Sequence, residues 1–266
     1  VGIGKKSYIE VQKIQSAVTG GISANFILIP NEEQSSHSLG LKITSKSLEE
    51  KEKEMQELMI ETAKNATFSD KDRIKDMLNF ISSDIEKSLI QNGHLLSMSN
   101  AAAQINNISA TNDYASGINF ITNTSKLSNN IEKNNELEKY VELLESIKSK
   151  INPIPSFSFT ASSTDMSESK INFQLQNKDA AFCTQNYFDI QEESIGWITG
   201  AQVTYCAEAF PTVDFFHNDA PALSVLGAVL RNGYLHTAIR EKGGAYGSGA
   251  MQDSNNKVFK FFSYRD

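Results

Sequence analysis

The stretch from Ala220 to Asp266 constrains the fold more than any other part of the chain. "APALSVLGAVLRNGYLHTAIREKGG" repeats apolar residues at helical spacing, places Pro221 in the first turn, is interrupted at Asn232-Gly233 and ends on two glycines. "AYGSGAMQ" and "KVFKFFSYRD" then read as two strands joined across "DSNN" into a hairpin. Just upstream, "GWITGAQVTYCAEAF" sets Val203, Tyr205, Ala207 and Ala209 against Gln202, Thr204 and Glu208, the alternation of a half-buried strand. Helices against mainly antiparallel strands make the α+β class.

The N-terminal part repeats that class. "SYIEVQKIQSAVTGG" opens with Ser7 and Glu10 in capping-box register, carries Val11, Ile14 and Val18 on one face, and stops at Gly20-Gly21. "ISANFILIP" and "SLGLKITSKS" read as two strands of a hairpin across "NEEQSSH". Ser47 and Glu50 repeat the capping spacing before a charged helix from about Leu48 to Lys64, with Leu48, Met55, Leu58, Met59 and Thr62 inward and its Glu and Lys residues solvated. Ser69 is expected to cap a second long helix through Ile74, Met77, Leu78, Ile81, Ile85 and Leu89, with "GHLLSMSNAAAQI" continuing helically after Gly93. From Asn106 to Asn135 the Asn, Ser and Thr content favours turns and irregular structure around a short helix. "NNELEKYVELLESIKSKI" restores a helix, "NPIP" ends it, and "SFSFTASS" reads as a strand. The organisation expected is a larger unit at 1–163, a polar linker at 164–185 and a smaller unit at 186–266.

The bulk numbers exclude several classes. Hydrophobic content of 39% and charged content of 21% describe a globular chain. A formal charge of -7, from 25 Lys plus Arg against 32 Asp plus Glu, argues against a broad nucleic-acid surface. No apolar run reaches the about 20 residues of a membrane span. Cys183 and Cys206 fit no disulfide framework or CxxC spacing and read as isolated core thiols of a reducing compartment. The chain opens without a methionine or signal pattern, and both ends read as cut, as in a piece of a longer protein.

Much catalytic chemistry is also absent. His37, His94, His217 and His236 form neither HExxH nor HxxEH, and His236 and Glu241, at i and i+5, belong on different faces of an α-helix. No complete metal site is expected within the chain. There is no GxSxG elbow and no GxxxxGK[ST] loop. The glycines of "REKGGAYGSG" follow a helix and precede a strand, whereas phosphate loops run from a strand to a helix N-terminus. That leaves Arg240 and Tyr246 to be explained. A cation suits a helix C-terminus and an aromatic suits a strand, so a purely structural reading stands beside a ligand-presenting one.

"GWITGAQVTYCAEAFPTV", "HNDAPALSVLGAVLRNGYLHTAIREKGGAYGSGA" and "VFKFFSYRD" resemble the C-terminal half of pitrilysin and insulinase-type metallopeptidases, particularly the presequence protease branch. "YIEVQKIQSAVTGGIS" is similar to the start of the third of that family's four homologous domains. The resemblance implies two homologous α/β units, the second truncated. It implies a zinc-dependent peptidase whose zinc ligands and general-base Glu lie in an N-terminal half outside this chain, so that this chain alone needs no cofactor and is inactive. It also implies that Arg240 and Tyr246 engage the peptide near the scissile bond, Arg240 orienting it and Tyr246 stabilising the transition state, with Gly243 and Gly244 shaping the turn between them. The implied partners are unstructured peptides and the zinc-bearing half of the same polypeptide. The implied compartment is cytoplasm in a bacterium, or a mitochondrial or plastid matrix in a eukaryote. The alternative is a homologue that has lost its zinc site and serves as a structural or peptide-binding subunit.

Overall fold

The computed structural model describes residues 1–30, 37–133, 135–151 and 188–266. In chain order its elements are β1 (Gly2–Ile3), α1 (Tyr8–Val18), β2 (Ile22–Pro30), β3 (His37–Ser45), a 3-10 turn (Glu49–Lys51), α2 (Glu52–Asn65), β4 (Ala66–Thr67), α3 (Lys71–Gln91), α4 (Gly93–Ala103), α5 (Asn107–Ser116), α6 (Ile118–Asn130), α7 (Glu136–Ile151), β5 (Ala207–Pro211), α8 (Ala220–Leu230), a π-helical segment (Arg231–Lys242), β6 (Gly247–Asp253) and β7 (Val258–Tyr264). Mixed helices and antiparallel strands give the expected α+β class. "NPIP", "SFSFTASS", the 164–185 linker and Cys183 lie outside the described residues. By its internal contacts the chain forms two compact units interleaved in sequence.

The first unit takes Val1–Asn25, Leu41–Met77 and the chain from Asn130 through α7. The capping box of α1 is present: Glu10 N–H donates to Ser7 Oγ at 3.4 Å and Ser7 N–H donates to Glu10 Oε2 at 2.8 Å. Those donors, backbone first and hydroxyl second, hold the Glu10 carboxyl below its ordinary range. Val11 joins Ile3 and Leu58 in a small core, with Ile14, Val18 and Ile22 packed around it. The two-residue ladder Gly2↔Thr67 and Ile3↔Ala66 seats Ile3 there, 1% exposed.

Two expected caps are elsewhere. Leu48, in extended backbone, precedes the 3-10 turn with no side-chain cap, so Ser47 forms no capping box, and Leu48 is 71% exposed instead of inward. The tighter turn takes up the residues that the capping register would need. At α3 the cap is Asp70, one residue past Ser69: its Oδ1 accepts Arg73 N–H at 3.0 Å. The inner face of α3 is also narrower than expected, with Ile74 and Leu78 buried but Met77 and Ile81 exposed.

The second unit takes Phe26–Gly40, Leu78–Asn129 and the described chain from residue 188 to Asp266. Where turns were expected after Asn106, α5 and α6 form instead. Asn106 caps α5 through Ser109 N–H at 2.9 Å, and Asp113, fully buried, caps α6 by accepting Ile118 N–H at 3.2 Å and Asn119 Nδ2 at 2.7 Å. Gly117 between the helices lets that carboxylate approach, because a Cβ there would overlap Asp113 Oδ1. Burial of Ile108 and Ile118 adds what the polar composition withholds.

The sheet has the order β5-β7-β6, antiparallel throughout, with Ala207 opposite Phe262 and Gly247 opposite Tyr264. On one face Leu235, Ala250 and Phe259 form a core with Leu223, Leu230, Ile239 and Phe261 from α8, the π-helical segment and the sheet. On the other, His94 of α4 meets Phe262 and Tyr264. The 201–210 alternation appears as alternating burial, and strand β5 begins at Ala207; just before it, Ser263 N–H donates to Cys206 carbonyl at 2.9 Å and Ser263 Oγ accepts Cys206 N–H at 3.3 Å. Cys206 lies in the outward phase of that alternation and is exposed, not a core thiol. At the hairpin tip, Asn256 carbonyl accepts Asn106 Nδ2 at 2.8 Å and Ser109 Oγ at 3.4 Å, fastening the turn to α5.

Candidate functional site

The expected helix from Ala220 changes its winding at Arg231, just before the Asn232-Gly233 interruption, into a π-helical segment that carries Arg240. Single π turns inside α-helices recur at functional sites. With bonds running from i to i+5, residues at that spacing come together: His236 Nδ1 lies 3.4 Å from Glu241 Oε1. The expectation that they occupy different faces assumed the α period, and the wider turn overturns it.

The glycine pair ends the helix. Gly243 N–H and Gly244 N–H both donate to Arg240 carbonyl, the latter at 3.2 Å, and Ala245 N–H donates to Ile239 carbonyl at 3.2 Å. Gly244 has φ +84°, a left-handed conformation that glycine adopts readily. A Cβ on Gly243 would meet Ile239 carbonyl at 2.6 Å. Ala245 is buried and anchors the turn, so the next residue, Tyr246, emerges 63% exposed at the head of β6.

Arg240 and Tyr246 are brought together: the guanidinium carbon sits 5.5 Å from the ring centroid. Beside them lie groups that the sequence reading quoted but gave no role. The Tyr264 ring is 6.0 Å from Tyr246, Arg265 lies over Tyr264 at 5.3 Å, and Tyr205 lies 5.7 Å from Tyr264. His94 meets Tyr264 edge-on at 4.7 Å, and its Nδ1 is buried without a hydrogen-bond partner among the described residues. Burial holds the His94 pKa below its ordinary value, so the imidazole is neutral at pH 7. Counting the hairpin back from "DSNN" would have found Tyr264, since it stands opposite Gly247.

This arrangement offers a guanidinium, with several N–H donors, and a phenol O–H at one exposed place. It does not offer a metal centre. Among the described residues no three His, Cys, Asp or Glu side chains converge to hold an ion, so they do not fit zinc. No helix among them is long and apolar enough to cross a membrane.

A family model described as peptidase M-16C associated matches residues 1–127. The mitochondrial presequence protease of Drosophila melanogaster is 30% identical over 274 residues, covering 100% of this chain and 26% of that protein. Along its whole length the chain is similar to presequence proteases. The mitochondrial presequence proteases of Yarrowia lipolytica (29% identical over 217 residues, 79% of this chain and 22% of that protein) and Kluyveromyces lactis (26% identical over 283 residues, 100% and 28%) are similar to it as well. The chain spans about a quarter of the length of these curated relatives, so it is part of a larger peptidase-family polypeptide.

Proposed function

We propose that this chain is the substrate-binding, non-zinc part of a zinc-dependent metalloendopeptidase that degrades unstructured oligopeptides. The observation that carries the reading is the junction of Arg240 and exposed Tyr246 across the Gly243-Gly244 turn. Arg240 orients the peptide through hydrogen bonds to a backbone carbonyl or carboxylate. Tyr246 donates its phenol proton in a hydrogen bond to the scissile carbonyl oxygen as that atom gains negative charge. Gly243 and Gly244 hold the two side chains in register. The zinc ligands belong to an N-terminal half outside this chain, which is its partner in the full polypeptide, and the isolated chain is inactive. In this reading the chain holds parts of two homologous domains, at 1–163 and 186–266 around a 164–185 linker. The relatives' names support a mitochondrial location in a eukaryotic source.

Tyr246→Phe in the full polypeptide keeps the ring and removes the donor. It is expected to lower kcat/KM about tenfold or more, equivalent to ~1.4 kcal/mol. An unchanged value refutes the role, and hydrolysis by the isolated chain that a chelator abolishes refutes the assignment of the metal to the other half.

A further inference from the structure

We propose that Arg265 is a second substrate-positioning residue, whose guanidinium receives a carboxylate carried by the peptide beside the Arg240–Tyr246 site. The inference rests on the substrate-binding reading above and deepens it. Its strongest support is the backbone. Arg265 has φ +56°, in the left-handed region where a non-glycine residue is strained. Glycine would take that conformation freely. Four hydrogen bonds nevertheless hold the segment there. Tyr246 N–H donates to Arg265 carbonyl at 3.2 Å, Asp266 N–H to Thr204 carbonyl at 3.1 Å, Thr204 N–H to Asp266 carbonyl at 3.3 Å, and the Ser263 hydroxyl to the Asp266 carboxylate. The main chain of Arg265 is thereby bonded directly to Tyr246.

The side chain adds a second, independent argument. Arg265 is exposed and lies over the Tyr264 ring at 5.3 Å, as Arg240 lies over Tyr246 at 5.5 Å, and the two rings are 6.0 Å apart. Neither guanidinium pairs with a carboxylate among the described residues, since Asp266 takes the Ser263 hydroxyl and Glu241 lies against His236. A guanidinium held over a ring by its cationic charge keeps N–H donors for a carboxylate, which it receives through two parallel hydrogen bonds. In a chain of formal charge -7, two guanidiniums on adjoining tyrosines, with no carboxylate partner among the described residues, are a local place for an anion. A peptide supplies a carboxylate from its C-terminus or from an Asp or Glu side chain.

The test uses the full polypeptide and three versions of one unstructured peptide: free C-terminus, amidated C-terminus, and acidic side chains replaced by amides. The wild type is expected to bind the parent peptide with a KM about tenfold below that of at least one amide version. Arg265→Gly removes the guanidinium while suiting the backbone, so it should unfold at or above the wild-type temperature and lose that preference. Arg265→Asn, which also tolerates the left-handed conformation, should behave alike. Equal KM values for all three peptides in the wild type, or a preference that survives in both variants, overturns the proposal. Tyr246→Phe measured in parallel separates the two failures. If it lowers kcat/KM while Arg265→Gly is silent, only the role of Arg265 falls; if Tyr246→Phe is silent too, the substrate-binding reading falls with it.

Discussion

Lys260→Met probes the ion pair that ties the two arms of the β6–β7 hairpin. Lys260 Nζ lies 2.6 Å from Asp253 Oδ2, with side chains 11% and 18% exposed. Burial by itself would raise the Asp253 carboxyl, but the charge and hydrogen bond of Lys260, helped by Asn256, outweigh it and hold the carboxyl below its ordinary value. Breaking a buried pair from one side costs about 3–5 kcal/mol. Here Asn256 still donates to the carboxylate through its backbone at 3.2 Å and its side chain at 2.8 Å, so a loss of about 2–3 kcal/mol is expected. Amide hydrogen exchange of β6 and β7 in the full polypeptide reads this as protection lowered about 30- to 150-fold at pH 7.

The pH dependence gives the sign. A carboxyl with a depressed folded pKa stabilises above its unfolded value, about 3.9, and that contribution is lost as pH falls through the folded value. Without Lys260 burial dominates, the Asp253 carboxyl moves up, and protonation relieves the variant first. The gap between wild type and variant should therefore be widest near pH 7 and shrink toward about pH 4. Asp253→Asn combined with Lys260→Met, which leaves no unpaired charge, should recover part of the loss. A gap of equal size at both pH values, or a double variant as costly as the two single changes added, refutes the argument.

Gly244→Ala forces a Cβ onto a residue at φ +84° and should cost about 1 kcal/mol while lowering kcat/KM, because the turn that places Tyr246 must shift; an unchanged kcat/KM would show that the turn does not position it. Gly117→Ala drives a Cβ into Asp113 Oδ1 and should remove the α6 cap at about 1–2 kcal/mol, seen as faster exchange of the Ile118 amide.

The sequence was most legible where the deciding interactions are local. Ser7 and Glu10 bond to each other three residues apart, so the capping box could be read directly. Hairpin β6–β7 was readable for the same reason, because its turn lies between its own strands. The Asn106–Asn130 helices were not, since their polar residues prefer turns and only Asp113 and the burial of Ile108 and Ile118 reverse that preference. At the site, Arg240 and Tyr246 straddle one readable turn. The His236–Glu241 contact depends on a change of helical period that no residue type announces. Tyr264 and Arg265 arrive through strand register, and the strain at Arg265 depends on bonds to Thr204 and Tyr246 far away in the chain.

Asn256 fastens the tip of the β6–β7 hairpin to α5 by accepting from Asn106 and Ser109, while Asn112 Nδ2 donates to Asn256 Oδ1 at 3.2 Å. Mechanically the hairpin is a beam built in at both ends, since Thr204 bonds to Asp266 beyond the tyrosines just as α5 holds the tip. Such a beam moves least beside its supports, and Tyr246 and Tyr264 stand next to one of them. Softening the clamp at Asn106 would therefore loosen the tip and leave the tyrosines in place.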